Sequence, residues 1–362
     1  MKIFVINPGS TSTKLALYDD ENLVWSKTLS HSVVDLATFQ NVNDQFDYRY
    51  NLILKALNES RIPLEFDAVV ARGGLLRPTP GGVYEINERI KDDLRNSPME
   101  HACNLGGLLA EKLARICHCP AFIADPEVVD ERMNIAKLCG LPEVRRHSIF
   151  HALNSKAVAR KYAASIGSTY EDLNLIIVHL GGGISVGAHS RGRVIDVNDA
   201  LNGNGPFSPE RAGSVPAMQL VDLCFSGKYT KNEIKKKLNG KGGLAAYLGT
   251  SDVALISEKA ADGQQPYKTV LDAMLYTVAQ ECGARYVTLR GKVDAIILTG
   301  GIAHSKYCVE KLRFWIECLA PVVVRAGEDE LGSLAFNALG ALRGDFPLME
   351  YNPVEVDIFD ED

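Results

Sequence analysis

One supersecondary unit is written twice in this chain, about half its length apart, and that duplication restricts the fold more than any other feature. Residues 2–28, KIFVINPGSTSTKLALYDDENLVWSKT, read as an apolar strand, a turn of small polar residues, a second strand, a polar tip and a third strand. Residues 175–197, LIIVHLGGGISVGAHSRGRVIDV, repeat the layout, with His189-Ser190-Arg191-Gly192-Arg193 at the tip where the first copy has Tyr18-Asp19-Asp20-Glu21-Asn22. Two copies imply a pseudo-symmetric pair of lobes with a cleft between them. The runs KIFVIN (2–7), DAVVA (67–71), AFIAD (121–125), NLIIVHL (174–180) and DAIILT (294–299) are short, apolar and β-branched, as strands buried on both faces are. Between them lie helical patterns such as NSKAVARKYAASIG (154–167), which opens on an asparagine cap and stops at a glycine. The alternation predicts an α/β protein, and 362 residues suit about two domains.

Neither turn in the repeated unit merely reverses the chain, which takes about two residues in a tight hairpin. In Asn7-Pro8-Gly9-Ser10-Thr11-Ser12-Thr13-Lys14, small residues let backbone N–H groups converge on an anion. The hydroxyls of Ser10, Thr11 and Ser12 add donors and Lys14 adds a point charge, which makes a phosphate cradle. The spacing is not that of a P-loop and no helix follows directly; a serine-rich surface turn has the same composition. His179-Leu180-Gly181-Gly182-Gly183-Ile184-Ser185 is the second-half counterpart. Its three glycines suit a backbone that must pass close to a ligand or to a packed helix. Leu298-Thr299-Gly300-Gly301-Ile302-Ala303 is a third glycine turn, at a strand end, where α/β proteins place ligands.

A net charge of −6 and a pI near 5.8 exclude nucleic acid and anionic membrane surface as partners of the whole chain, since such proteins are dominated by basic patches. An anionic ligand must then be held by local cations. No stretch approaches the roughly 20 apolar residues of a membrane span, and the first residues lack a secretory pattern. The eight cysteines are scattered, and Cys117-His118-Cys119 is too tightly spaced for a zinc knuckle. Reduced thiols in a cytoplasmic protein are the expectation.

Three glycine turns in this order, two of them in hairpins, resemble the nucleotide fold shared by actin, the heat-shock chaperones and the sugar and acetate kinases. Within that group "INPGSTSTK" resembles the opening signature of the acetate kinase family. The stretches "ARGGLLRPTPGGVYEIN", "HSIFHALNSKAVARKY", "VHLGGGISVGAHSRGRVIDVNDALNGNGPFSPERAG", "GKGGLAAYLGTSD", "KVDAIILTGGIAHS" and "APVVVRAGEDE" are similar to its butyrate kinase branch, over nearly the whole chain. The resemblance implies a two-lobed, actin-like (ribonuclease H-like) α/β fold. Residues 1–148 plus 338–362 would form domain I with the first hairpin, and residues 149–337 domain II with the second hairpin and an adenosine turn. It also implies an ATP-dependent short-chain carboxylic acid kinase, converting butyrate and ATP to butyryl phosphate and ADP by direct in-line transfer with Mg²⁺. Relatives assemble as dimers or larger even-numbered species, so a homo-oligomer is expected.

The chemistry agrees with that resemblance. A carboxylic acid with a pKa around 4 is already an anionic nucleophile at neutral pH, so no general base is needed. The difficulty is bringing it against an anionic γ-phosphate, which calls for fixed cations and alignment. Arg72 and Arg77 in VVARGGLLRP and Arg211 in FSPERAG stand in glycine- and proline-rich loops suited to this, and a planar guanidinium holds two oxygens at once. Asn7, Ser10, Ser12 and Lys14, with Gly181, Gly182 and Gly183, are expected to hold phosphates, and Gly300, Gly301 and Ile302 to pass beneath adenosine.

Acidic positions matching Asp125 and Glu330 are associated with the magnesium site in acetate kinases; one or two carboxylates suffice for Mg²⁺. A helix N-cap before Pro126 would also account for Asp125. His151 matches the first histidine of the family stretch FHGTSH, thought to steady the transferring phosphoryl group, while Ser155 replaces the second. The expected catalytic set is therefore Arg72, Arg211, His151 and Asp125, with His179 either a phosphate contact or a core residue. One departure stands out: the family's HRVVHGG reads AVVARGG here, so Arg72 aligns with the histidine. Two other classes share the fold, a non-catalytic nucleotide switch and a sugar kinase using Asp125 as a base.

Overall fold

The computed structural model describes residues 1–98 and 100–353. Its strands are β1 (Lys2–Pro8), β2 (Ser12–Asp19), β3 (Asn22–Ser30), β4 (Ala68–Arg72), β5 (Val83–Glu85), β6 (Ala121–Ala124), β7 (Asn174–Leu180), β8 (Ile184–Ser190), β9 (Arg193–Val197), β10 (Ala295–Gly300), β11 (Val322–Ala326) and β12 (Leu348–Met349). They form a seven-stranded and a five-stranded sheet, each in its own compact unit. Of the described residues, 1–130 and 329–353 form the first unit and Glu131–Glu328 the second. The last nine residues of the returning segment expected at 338–362 lie outside the described residues.

In the first unit the sheet order is β12-β5-β6-β4-β1-β2-β3. β1, β2 and β3 form an antiparallel meander, and β4 joins β1 and β6 joins β4 in parallel. The helix Asn104–Cys117 packs on β4 and β6, and Glu330–Arg343 packs on β1 and β4. Ile6, Leu15, Val69, Ala71 and Ile123 join Leu105, Leu109 and Leu113 of the first of these helices in one core cluster.

The second unit repeats the plan with the order β11-β10-β7-β8-β9: an antiparallel meander β7-β8-β9, with β10 parallel to β7 and β11 parallel to β10. Period-two alternation explains why β7 is apolar throughout. Ile176, Val178 and Leu180 face the helix Tyr267–Thr288, whereas Leu175 and Ile177 face Val158, Ala159 and Ala163 of the helix Ala152–Ser165. The likeness of the two meanders extends to their irregularities. A bulge falls between Leu17 and Tyr18 in the first and between Ala188 and His189 in the second. Each tip has a non-glycine residue with positive φ, Asp20 at 51° and Arg191 at 49°.

The helix expected over 154–167 is Ala152–Ser165, with His151 at the cap position. Asn154 is not its cap, because the chain is already helical there and the Asn154 amide is engaged with His179. Asp125 caps no helix either: the chain continues through turns, and Asp125 itself has φ of 37°.

Candidate functional site

The first turn is built so that the carbonyls of Gly9, Ser10 and Ser12 face the protein, which turns the N–H groups of Ser10 and Thr11, across the same planar peptides, outward. Gly9 N–H closes the turn on the Ser12 carbonyl at 2.7 Å, and the Thr11 carbonyl accepts from His31 N–H at 2.8 Å. The carbonyls of Gly9, Ser10 and Ser12 all accept from the guanidinium of Arg49. Among the described residues, the N–H groups and hydroxyls of Ser10 and Thr11 donate to nothing, and both residues are exposed. Lys14 stands exposed on β2 opposite Asn7 of β1 and pairs with no carboxylate among the described residues. Unsatisfied donors and a free ammonium beside a turn without carboxylates are the features of an anion site.

Asn7 is buried and donates to Glu330 Oε2 at 2.7 Å, while Arg72 Nη1 donates to Glu330 Oε1 at 2.7 Å. Arg72 Nη2 pairs with Glu127. The structure thus joins Asn7, Arg72 and Glu330 into one cluster and adds Glu127, which no spacing in the sequence marks. Arg77 lies outside that cluster: its side chain is half exposed and forks onto Asp93, with Nε–Oδ2 at 3.0 Å and Nη2–Oδ1 at 3.2 Å. Asp125 is 2% exposed and its Oδ1 accepts from Gly82 N–H.

In the second unit the rings of His151 and His179 stack with centroids 3.7 Å apart. His151 Nδ1 meets Ser185 Oγ at 3.0 Å. His179 Nδ1 accepts from the Asn154 amide at 2.9 Å, which leaves the proton on Nε2, turned toward Glu328 at 3.4 Å. Asn154 also reaches Thr299 Oγ1 at the end of β10. A histidine pair, a serine and a carboxylate therefore gather beside the glycine turn, and Asn154 is the residue that sets the ring tautomer.

Arg211 crosses that turn so closely that a Cβ on Gly183 would lie 1.7 Å from its Nη1. Nη1 donates to the Ala200 carbonyl, and Nε and Nη2 have no partner among the described residues. Burial pulls its pKa below the usual arginine value. The Gly182 carbonyl is held by Ser208 Oγ at 2.7 Å. Gly181, Gly182, Gly301 and Ile302 line one cavity of about 590 Å³ together with Glu210, Ser257, His304 and Glu328, a volume within the range of small-molecule sites. Gly300 lies under that floor with φ of 87°, and a Cβ there would meet the Leu180 carbonyl at 2.4 Å. Two of the three glycine turns thus close on the same cavity.

With a cavity lined by the second and third glycine turns in place, comparison with known proteins becomes informative. Residues 137–319 match the family model described as the acetokinase family. The chain is 69% identical over 353 residues to a protein of Phocaeicola vulgatus named "probable butyrate kinase", covering 98% of this chain and all of that one. The chain belongs to the acetokinase family. It is also 48% identical to "butyrate kinase 1" of Clostridium acetobutylicum, over 97% of this chain and 99% of that one. Among solved structures, the acetate kinase of Porphyromonas gingivalis superposes with a TM-score of 0.77 at 18% identity, covering 94% of this chain and 99% of that one. That likeness carries the fold, an actin-like two-sheet α/β architecture, across a distance at which sequence similarity has nearly gone. No helix among the described residues is long and apolar enough to cross a membrane.

Proposed function

We propose that this chain is an ATP-dependent short-chain carboxylic acid kinase, transferring the γ-phosphoryl group of ATP to butyrate or an acid of similar size. The observation that carries the reading is near-full-length identity of 69% and 48% to two proteins named for butyrate. The geometry supports it through the outward N–H groups of the first turn, the unpartnered nitrogens of Arg211 and the cavity at Gly181 and Gly301.

In this reading Ser10, Ser12 and Lys14 take phosphate oxygens at the first turn, and the turn from Gly181 to Gly183 does so in the second unit. Gly300, Gly301 and Ile302 form the floor for adenosine. The acid needs no base because its carboxylate is already ionised. What the residues supply is positive charge and alignment: Arg211 with two nitrogens to spare, and Arg72 held in place by Glu127 and Glu330. The stacked histidines offer N–H groups to phosphoryl oxygens. Arg77, spent on Asp93, contributes to the loop and not to the transfer.

Magnesium belongs to the reading as the usual counter-ion of ATP phosphates. Asp125, whose Oδ1 accepts from Gly82 N–H, and Glu330, whose oxygens accept from Asn7 and Arg72, are the carboxylates that would hold it; one or two suffice where nucleotide phosphates and waters complete the shell. No step is routed through the ion. A cytoplasmic, homo-oligomeric enzyme completes the proposal, with the acid-side lobe expected at 1–148 and 338 onward read instead as the first unit, residues 1–130 and the helix Glu330–Arg343, and the nucleotide lobe expected at 149–337 read as Glu131–Glu328.

The test is acyl phosphate formation with Mg-ATP across acetate, propionate, butyrate, isobutyrate, valerate and glycerol, trapped with hydroxylamine while ADP is followed. Hydroxamate with the four-carbon acids and little with acetate is expected. Phosphorylation of glycerol with no hydroxamate from any acid would replace the proposal by an alcohol kinase.

A further inference from the structure

Arg49 is the largest fully buried side chain among the described residues, 1% exposed, in the first turn of the helix Phe46–Glu59. Its guanidinium is surrounded by neutral acceptors. Nη1 donates to the Gly9 carbonyl at 2.9 Å and to Thr13 Oγ1 at 3.1 Å, and reaches the Ser12 carbonyl at 3.4 Å. Nη2 donates to the Ser10 carbonyl at 3.2 Å and to Gln45 Oε1 at 2.9 Å, and Nε donates to the same Gln45 oxygen at 3.1 Å. No carboxylate lies within ion-pair distance among the described residues, and burial pulls the group below the usual arginine pKa.

A buried charge without a counter-charge is strongly disfavoured. The helix adds to the conflict, because its N-terminal turn carries positive dipole charge and favours anions there, not cations. Donors that could receive a counter-charge stand close by: the N–H groups of Ser10 and Thr11 lie on the other side of the peptide planes whose carbonyls Arg49 holds.

We propose that Arg49 is the positioning residue of the first turn: its fork draws three carbonyls inward so that the N–H groups point out, and its uncompensated charge is balanced by the polyphosphate that binds there. The inference rests on reading this turn as a phosphate site. It separates two effects that an ordinary structural arginine would not couple, the stability of the free protein and its affinity for anions.

Gln45→Glu tests it without emptying the site. The change is nearly isosteric and places a carboxylate on the guanidinium nitrogens that Gln45 already binds. Inorganic tripolyphosphate, titrated calorimetrically, reports on anion binding apart from catalysis. The free Gln45→Glu protein is expected to melt higher than wild type and to bind tripolyphosphate about tenfold more weakly, as partial neutralisation of a nearby unit charge implies. Its KM for ATP should rise in parallel. Arg49→Lys, which keeps the charge but not the fork that holds three carbonyls, should fall between wild type and Arg49→Gln, and Arg49→Gln should lose affinity at least as Gln45→Glu does. A Gln45→Glu protein that gains stability but binds tripolyphosphate as tightly as wild type would reduce Arg49 to a structural staple and overturn the inference. Equal binding by a folded Arg49→Gln would do the same; if that variant does not fold, Gln45→Glu decides alone. Absence of tripolyphosphate binding by wild type would instead remove the phosphate reading of the turn itself.

Discussion

Replacing Gly183 with alanine isolates the contact between the second glycine turn and Arg211. The new Cβ would lie 1.7 Å from Arg211 Nη1, 2.7 Å from Cζ and 3.2 Å from the Ala200 carbonyl. The backbone at Gly183 is not in the left-handed region, so the cost is steric and falls on the guanidinium. Arg211 must swing away, and the charged hydrogen bond from Nη1 to the Ala200 carbonyl is lost. Such a bond contributes about 1.5–3 kcal/mol, and the reduced freedom of the unfolded alanine chain returns about 0.5 kcal/mol. A net loss of about 1–2.5 kcal/mol follows. In an Arg211→Ala background the severe clash is gone and only the 3.2 Å approach to the Ala200 carbonyl remains, so the same Gly183→Ala change should cost much less and a double-mutant cycle gives a coupling that is most of the effect. Urea unfolding of the four proteins measures it, and turnover of Gly183→Ala should fall with that of Arg211→Ala. An equal loss of stability in both backgrounds would refute the view that Gly183 is glycine in order to admit Arg211.

Three further substitutions and a pH series follow from the same geometry. Lys14→Ala removes an exposed ammonium from β2 and should lower kcat at least tenfold while leaving the melting temperature within a degree or two; unchanged kinetics would remove Lys14 from the phosphate site. Gly300→Ala forces a side chain onto the Leu180 carbonyl from a positive φ, and should cost about 2 kcal/mol or more and weaken ADP binding in calorimetry. Arg72→Met leaves Glu127 and Glu330 facing one another without their shared cation, and a stability loss that shrinks on acidification is the expected signature. His31 and His189 are buried neutral, their pKa values held down to about 4 and about 3, by burial first and then by nearby cations. Because the unfolded value is near 6.5, their stabilisation is complete above that pH and is lost as pH falls toward the folded values, about 2 kcal/mol for each between pH 7.5 and 5. His31→Gln should flatten the acid limb of the stability curve, and a slope unchanged by that substitution would count against the assignment.

Much of this was legible in the sequence because strand burial and glycine placement are local signals. β7 coincides with the run NLIIVHL, and the duplication read from two polar tips reappears as two meanders with matching bulges. The glycine turns were legible for the same reason: at Gly183 and Gly300 a neighbouring group occupies the Cβ position. What escaped is what depends on the chain meeting itself at long range. Nothing near Glu127 shows that Arg72 will be pinned between it and Glu330, 258 positions further on. Asn154 reads as a cap because asparagine is a good one, yet its amide is taken by His179 and the helix starts earlier. Arg77 reads as Arg72 does, in a glycine- and proline-rich loop, but the helix Glu88–Arg95 presents Asp93 to it. Arg49 did carry a signal: it occupies a position of the apolar stripe shared by Tyr50, Ile53 and Leu57. A charged residue there is either buried with its own acceptors or runs its stem along the apolar surface to reach water.

The most direct test of a carboxylate-directed phosphoryl transfer is ³¹P NMR of the purified protein with Mg-ATP and butyrate. An acyl phosphate resonance should grow as the γ-phosphate signal declines, and it should vanish on addition of hydroxylamine. Depletion of the γ-phosphate to inorganic phosphate alone, at a rate independent of butyrate and of every other short-chain acid, would contradict it.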